Sequence, residues 1–207
     1  YTNNSIEKMN FLPNAELFFL SRKKLIRKST VNLFEGKDIL LIGINAAFSP
    51  VDTQMVKEYE ALYDTFIKET EVDEIYFVSM NDPYVMDAWW KSMKIKKCKC
   101  LPDGNGALSM RIDNQGGMSG GLTVNEMYNK GMGKRTWRFA LLLEDNCQMT
   151  YLEEETPGGS QGTRDNLPND PYELTTPELV LAHLKNRNQQ ERIRELNTAS
   201  QDLSLPK

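Results

Sequence analysis

A nearly continuous apolar segment, residues 38–44, is followed by a short loop and then by an amphipathic helical pattern. An apolar run of this length predicts a central strand that is buried on both faces. In the next segment apolar side chains recur every three or four residues, as on one face of a helix: Met55, Val56, Tyr59, Leu62, Tyr63, Phe66 and Ile67. A buried strand joined to such a helix predicts one α/β domain.

Other elements follow from side-chain alternation, turn residues and capping residues. They comprise a hairpin over 16–20 and 24–28, strands over 75–80 and 97–101, a helix beginning at Asp82-Pro83, a second hairpin over 138–143 and 148–152, and a last helix beginning at Thr176-Pro177. The Gly-rich segment 114–121 and the polar segment 153–175 are predicted to be surface loops. We expect an N-terminal arm over 1–12, one domain over 13–185, and a polar C-terminal tail over 186–207.

Composition and charge exclude several classes of protein. A formal net charge of -4 and a pI of about 5.2 make nucleic acid and anionic membranes poor partners. No segment approaches the roughly 20 apolar residues that a membrane-spanning helix needs, and residues 1–10 lack the apolar core of a secretory signal. The low count of 3 cysteines favours a reducing compartment, so we expect a cytoplasmic protein or a component of an intracellular particle. His183 is the single histidine, which removes most zinc sites, and we predict no cofactor.

The loop 45–52 leads into a helix N-terminus, where an anion is favoured. The first N–H groups of a helix are unpaired, and the helix dipole is positive there. A cysteine at such a place has a lowered pKa and becomes a nucleophilic thiolate. Here the segment reads Asn45-Ala46-Ala47-Phe48-Ser49-Pro50-Val51-Asp52, with an aspartate where that cysteine would stand.

This segment and several others resemble the peroxiredoxin family, in particular its peroxiredoxin-5 (type II) branch. Ala47-Phe48-Ser49-Pro50 is similar to that branch's Ala-Phe-Thr-Pro, and Ser79 to Trp89 is similar to its Ser-Val-Asn-Asp-x-Phe-Val-Met-x-Ala-Trp. The other similar segments follow in the family's order: Gly36-Lys37-Asp38, Pro102-Asp103-Gly104-Asn105-Gly106, Gly131-Met132-Gly133, and Arg135 with Trp137-Arg138-Phe139. The resemblance covers about residues 13–185, and the polar segment 153–175 looks longer than is usual in the family. It implies a thioredoxin-like fold with a mixed central sheet and helices on both faces.

The resemblance also locates a degenerate active site. The family's proline falls at Asn45, its Thr/Ser is kept as Ser49, its peroxidatic cysteine falls at Asp52, and its active-site arginine is kept as Arg138. A carboxylate cannot attack a peroxide O–O bond and pass through a sulfenic acid, because that chemistry belongs to a thiolate. The resemblance therefore implies a protein without ordinary thiol peroxidase activity.

Each of these site residues has two interpretations. Asp52 is either a helix N-cap, worth about 1 kcal/mol relative to Ala, or a fixed mimic of a thiolate or sulfinate charge. Ser49 either satisfies a backbone group of the loop or donates to a bound anion. Arg138 either forms a structural ion pair or keeps an anion-binding role.

The cysteines offer a different chemistry. Cys98 and Cys100 are two residues apart on a predicted strand, so both face one side of the sheet. They are either small core residues or carriers of redox chemistry. Cys147 lies in a predicted hairpin turn, where we expect the most exposed thiol of the chain.

The pair Trp89-Trp90 is unusual, because neighbours on a helix point about 100° apart. One ring is expected to face the core and the other to be exposed. In the resembling family, aromatic residues of this region and of the active-site loop build a dimer interface. By that analogy Phe48 and Trp90 are candidate interface residues.

The leading hypothesis is a catalytically silent peroxiredoxin-like protein that acts by binding. It would work with a protein partner, as a homodimer, or as a structural component of a larger assembly, through its two surface loops and its tail. The alternative is a thiol-dependent redox enzyme that uses Cys98, Cys100 or Cys147. Non-peroxidase chemistry at Asp52 and Arg138 belongs to the same alternative.

Overall fold

The computed structural model of the chain describes residues 11–114, 124–144, 147–155 and 170–202. Side chains are described throughout these ranges except at residues 113, 114 and 195–202. Residues 115–121 and 156–169 of the two predicted surface loops lie outside the described residues, as do most of the predicted N-terminal arm and the last residues of the tail.

Nine strands and five α-helices follow one another along the described residues. They are β1 (Glu16–Ser21), β2 (Lys24–Ser29), α1 (Thr30–Phe34), β3 (Ile39–Gly43), α2 (Pro50–Glu69), β4 (Glu74–Ser79), α3 (Pro83–Met93), β5 (Lys99–Pro102), α4 (Ser109–Asn114), β6 (Val124–Glu126), β7 (Lys134–Thr136), β8 (Phe139–Glu144), β9 (Gln148–Glu154) and α5 (Pro177–Asp202). A 3-10 turn over Tyr128–Lys130 separates β6 from β7.

A five-stranded mixed sheet forms the centre of the domain, in the order β5-β4-β3-β8-β9. Strands β3, β4 and β5 run parallel, whereas β8 is antiparallel to both of its neighbours. The apolar run after Asp38 is the middle strand β3, and each of its residues is buried. The predicted α/β fold with a mixed central sheet is therefore confirmed.

Helices cover both faces of this sheet, because successive residues of β3 point to opposite sides. Leu40 and Ile42 pack in a core with residues of α2, α3 and α5. Ile39 and Leu41 pack in a second core with residues of α1, α4 and the β1–β2 hairpin. A strand buried in this way reads as a continuous apolar run, as the sequence does here.

The predicted hairpins and helix starts are found. Strands β1 and β2 pair over 16–29, and β8 pairs with β9. Asp82 caps α3, since its carboxylate accepts from the N–H groups of Tyr84 and Val85 at 2.8 and 3.0 Å. Helix α5 begins at Pro177 and continues through the expected boundary at 185/186 as far as Asp202. Among the described residues, no helix combines the length and the apolar character that crossing a membrane requires.

Candidate functional site

The site forms where β3 ends and β8 begins. The two strands are antiparallel neighbours, with Gly43 at the end of β3 opposite Phe139 at the start of β8. A Cβ atom on Gly43 would lie 2.4 Å from the Phe139 ring and 2.4 Å from the Trp137 carbonyl oxygen, so only glycine allows this approach. Arg138, immediately before β8, is thereby held beside the loop that follows β3.

Arg138 and Asp52 form a fully buried ion pair, in which Nε of Arg138 donates to Oδ1 of Asp52 at 2.8 Å. The second carboxylate oxygen of Asp52 accepts from the Ser49 hydroxyl at 2.7 Å and from the Ala46 N–H at 2.9 Å. The carboxylate therefore has three donors, one of them cationic. Such a set of partners makes a buried carboxylate tolerable.

The helix cap differs from the predicted one. Ser49, not Asp52, is the N-cap of α2: its side chain accepts from the Asp52 N–H at 3.1 Å, and Pro50 is the first helical residue. Asp52 is the third helical residue, and its Oδ2 accepts from the hydroxyl of the cap residue Ser49. The N-cap interpretation of Asp52 is therefore wrong, because the cap position precedes the proline. The Ser49 hydroxyl satisfies a backbone N–H, but that group belongs to the first turn of α2 and not to the loop.

Burial and charge act in opposite directions on the ionisable groups of this pair. Burial raises the pKa of Asp52, and the Arg138 guanidinium, the Ser49 hydroxyl and the Ala46 N–H oppose that rise. Burial would lower the pKa of Arg138, but the carboxylates of Asp170 and Asp52 outweigh it and raise that pKa. The guanidinium therefore stays charged, and the site holds a permanent cation.

A second carboxylate, which the sequence did not indicate, reaches the same guanidinium. Oδ1 of Asp170 accepts from Nη1 of Arg138 and, at 3.1 Å, from the side-chain amide of Asn45. Nη1 of Arg138 also donates to the Pro171 carbonyl at 3.0 Å. Asn45 thus contacts Asp170 rather than Asp52. Asp170 was missed because it lies in a long polar segment where no pattern distinguishes one acidic residue from another.

Glu155 holds the same segment in place and was also missed. Its buried carboxylate accepts from the N–H groups of Glu173, Leu174 and Thr175 at 2.8 to 3.0 Å, and from the Thr175 hydroxyl at 2.8 Å. A buried glutamate needs such compensation. Glu155 directly follows β9 and lies inside the polar segment 153–175, where no pattern distinguishes it from the other acidic residues.

The three cysteines lie away from the guanidinium. Cys98 and Cys100 pack against one core cluster, at β5 on the edge of the sheet, so the prediction that they share a face is confirmed. Cys147 follows β8 at the end opposite to Arg138 and is 4% exposed. Its expected exposure is therefore wrong: its φ of +77° turns the chain so that the side chain enters the second core.

The aromatic candidates differ in exposure. Trp89 is the ring that faces the core, whereas Trp90 is partly exposed and donates through Nε1 to the Cys98 carbonyl at 3.1 Å. Trp90 packs on Phe77 and on Trp89, and its role at an interface stays a prediction. Phe48 is 57% exposed beside the site, in a left-handed backbone conformation with a φ of +66°.

One group of acidic side chains lies close enough together for a cation: the described residues Asp38, Glu71 and Glu144 have oxygen atoms within 4.8 Å of one another. Glu144 already binds Arg187 at 2.6 Å. Three acidic groups with one of them paired do not define a metal site.

The fold and the loop–helix site together define the thioredoxin-like peroxiredoxin class of protein. The chain matches the Redoxin family over residues 9–167. It is 35% identical over 159 residues to a peroxiredoxin of Rhizobium etli, covering 76% of this chain and 80% of that protein. It is 35% identical over 151 residues to Peroxiredoxin-2B of Arabidopsis thaliana, covering 71% and 86%.

Solved structures agree. The antioxidant protein (1-Cys peroxiredoxin) of Plasmodium falciparum superposes with a TM-score of 0.75 at 32% identity, over 87% of this chain and 99% of that one. Reduced Prx3 of Vibrio vulnificus in complex with H2O2 superposes with a TM-score of 0.68 at 27% identity, over 86% and 99%. The chain belongs to the peroxiredoxin family.

Proposed function

We propose that this protein is a peroxiredoxin whose site no longer reduces peroxides and which acts by binding a protein partner or a second copy of itself. The observation that carries the proposal is the buried Asp52–Arg138 pair at 2.8 Å. By its resemblance to the peroxiredoxin-5 branch, Asp52 stands where the family has its peroxidatic cysteine. A carboxylate there supplies no sulfenic acid step.

The environment of the thiols supports the same proposal. Burial raises the pKa of Cys100 to about 11, and burial also raises the pKa values of Cys98 and Cys147. A reactive cysteine instead has a lowered pKa and a cationic or helix-terminal neighbour. The alternative, a thiol-dependent redox enzyme, therefore has no thiol with the required surroundings.

The test is hydrogen peroxide consumption with dithiothreitol as reductant. The intact protein is expected to match the background rate without protein. It is compared with a variant carrying Cys98→Ala, Cys100→Ala and Cys147→Ala, checked for folding by circular dichroism. Turnover by the intact protein that is lost in this variant would establish the thiol enzyme instead. Turnover that survives in this variant but is lost in Arg138→Ala would establish chemistry at Asp52 and Arg138.

Phe48 supports the binding part of the proposal. The left-handed backbone conformation of Phe48 costs about 1–3 kcal/mol of free energy. In the isolated chain its aromatic ring is also 57% exposed. Aromatic residues are enriched at protein interfaces. The ring contacts Trp89 at 6.3 Å between centroids, so it extends the aromatic cluster of α3 to the surface.

The binding part is tested by sedimentation velocity on the intact protein and on Phe48→Asp. A self-associating protein is expected to lose its dimer in this variant. Tyr128→Asp is the matched control, because Tyr128 is 59% exposed and lies on the turn between β6 and β7. A monomer that does not change with concentration would contradict self-association, and an equal effect of both variants would contradict a specific role of Phe48.

A further inference from the structure

Residues 170–175, called the strap below, are bound to the domain along their whole length. Asp170 and Pro171 accept from Arg138, and the Tyr172 hydroxyl donates to Glu58 at 2.6 Å. Glu155 binds the N–H groups of residues 173–175. The Thr175 carbonyl in turn accepts from the buried hydroxyl of Tyr59 at 2.8 Å. The strap is therefore fixed against the domain and forms part of the site.

Two carboxylates from different segments of the chain bind the guanidinium of Arg138. Asp52, on α2, accepts from Nε, and Asp170, on the strap, accepts from Nη1. The Asp52 side chain has no exposure, whereas that of Asp170 is 34% exposed. Asp170 thus lies on the solvent side of the pair, where a ligand that approaches Arg138 from outside would have to bind.

The donors around Asp170 suit a carboxylate. Its Oδ1 receives one charged donor, Nη1 of Arg138, and one neutral donor, the amide of Asn45. Guanidinium–carboxylate contacts are among the stronger hydrogen bonds in proteins. The Nδ2 atom of Asn45 points at Asp170, so the Asp170 carboxylate fixes the orientation of the Asn45 amide.

The same place keeps unused hydrogen-bonding capacity. Within the described part of the chain, Nη2 of Arg138 and Oδ1 of Asn45 are buried side-chain atoms without a hydrogen-bond partner. Arg138 is 0% exposed and Asn45 is 3% exposed. Nη2 of Arg138 is a donor that suits a carboxylate oxygen, whereas Oδ1 of Asn45 is an acceptor that an anion leaves unsatisfied. Buried polar atoms are nearly always satisfied, so the unpartnered Nη2 indicates a site with capacity for an anion.

We infer that Arg138 and Asn45 form a binding site for a small carboxylate, and that Asp170 fills this site as a ligand from within the chain. An external monocarboxylate such as formate binds there when the Asp170 carboxylate is removed. The inference rests on the proposed function in one respect, since it takes Asp52 as a permanent carboxylate of the site. Removal of Asp170 leaves Nη1 of Arg138 and the Asn45 amide without their carboxylate, and formate supplies the same oxygen acceptor and charge.

Formate titration of Asp170→Ala, followed by the thermal unfolding midpoint, tests the inference. Without formate the variant is expected to unfold several degrees below the intact protein, at about 2–4 °C for each kcal/mol lost in a domain of this size. Formate is expected to raise its midpoint saturably, as ligand linkage requires. The intact protein is expected to show no rise beyond that given by chloride at equal ionic strength.

Two controls separate binding from general effects. Formamide has the shape of formate without its charge and is expected to give no rise. Glu173→Ala removes an exposed acidic side chain from the strap that makes no contact with Arg138, and it is expected to behave as the intact protein. An absence of any formate-specific rise in Asp170→Ala, or an equal rise in the intact protein, would overturn the inference.

A second variant covers the case in which Asp170→Ala does not fold. Asp170→Ser leaves space for formate and keeps a hydroxyl acceptor, and it is expected to show the same saturable rise with a smaller starting deficit. Failure of both variants to bind formate by calorimetry contradicts the carboxylate site. Peroxide does not enter these measurements, so their outcome is independent of the peroxidase test.

Discussion

Nε of Arg138 donates to a carboxylate oxygen of Asp52 at 2.8 Å, although 86 residues separate the two in the sequence, and both side chains are fully buried. A buried pair of this kind has a large desolvation cost, which is offset only when each member keeps its partners. Here Asp52 has two further donors and Arg138 has a second carboxylate. The site is therefore a charge network whose members depend on one another.

Loss of the cation from this network should be strongly destabilising. We expect Arg138→Met to lower the free energy of unfolding by about 3–5 kcal/mol, because Asp52 then remains buried without a counter-charge. Urea unfolding followed by circular dichroism measures the change. The double variant Arg138→Met with Asp52→Asn should recover part of the loss, since it removes the uncompensated charge.

A surface pair gives the matched control for that measurement. Lys91 binds Asp87 at 2.6 Å with the lysine side chain 74% exposed. Lys91→Met is expected to cost less than about 1 kcal/mol. Equal costs at positions 91 and 138 would show that burial does not govern the strength of the Arg138 contacts.

Glu155 is expected to hold the strap through its carboxylate. Replacement of Glu155 by Ala leaves the N–H groups of residues 173–175 and the Thr175 hydroxyl without their acceptor, at a cost of at least about 2 kcal/mol. Amide hydrogen exchange should accelerate at residues 173–175. The neighbouring change Glu153→Ala, whose side chain lies 3.7 Å from His183, should leave exchange at these amides unaltered.

The thiols should react slowly in the native state. Burial raises the pKa of Cys100 to about 11, so about one thiol in a thousand is ionised at pH 8. Burial also raises the pKa values of Cys98 and Cys147. Mass spectrometry after iodoacetamide treatment should detect little labelling of the native protein at pH 8, and three labels after denaturation. A native cysteine that reacts at neutral pH as fast as free cysteine would contradict the assignment of all three as core residues.

Glu74 should contribute a pH-dependent part of the stability. Burial would raise the pKa of Glu74, but the contacts with Lys99 at 2.5 Å and Lys37 at 3.1 Å outweigh it and lower that pKa below 4.5. A lowered folded-state pKa stabilises the fold above the unfolded-state pKa, and this stabilisation is lost as the pH falls through the folded-state value.

The variant Glu74→Gln tests this dependence by urea unfolding between pH 7 and about pH 3. Its stability deficit against the intact protein should be largest at pH 7 and should shrink at the acidic end. A deficit that does not vary with pH would show that Glu74 acts through packing alone.

Much of the fold could be predicted because its signals are local. The apolar run of β3, the pairing of β8 with β9 and the start of α3 at Asp82-Pro83 each depend on residues near one another in the sequence. Periodicity and capping report such short-range preferences directly. The boundary of the last helix was less visible, because the helix continues into a polar segment with few apolar residues to mark its face.

The site was predicted in part. Ser49, Asp52 and Arg138 lie together, but the cap belongs to Ser49, and Asn45 binds Asp170, which the sequence did not indicate. Cys147 was expected at the surface because hairpin turns are usually exposed, yet it packs in the core. A positive φ at that position sends the side chain inward, which residue type alone does not reveal.

The sequence by itself determined the buried middle strand, the loop and the helix that follow it, and the presence of a carboxylate, Asp52, in the first turn of that helix. These depend on side-chain polarity and on contacts within a few residues. Only the tertiary structure decided which carboxylates share Arg138. The antiparallel pairing of β3 with β8 places the arginine beside Asp52, and Glu155 fixes the strap that brings Asp170 to the same guanidinium. Contacts between distant segments depend on strand order and on buried hydrogen bonds, which no local pattern encodes.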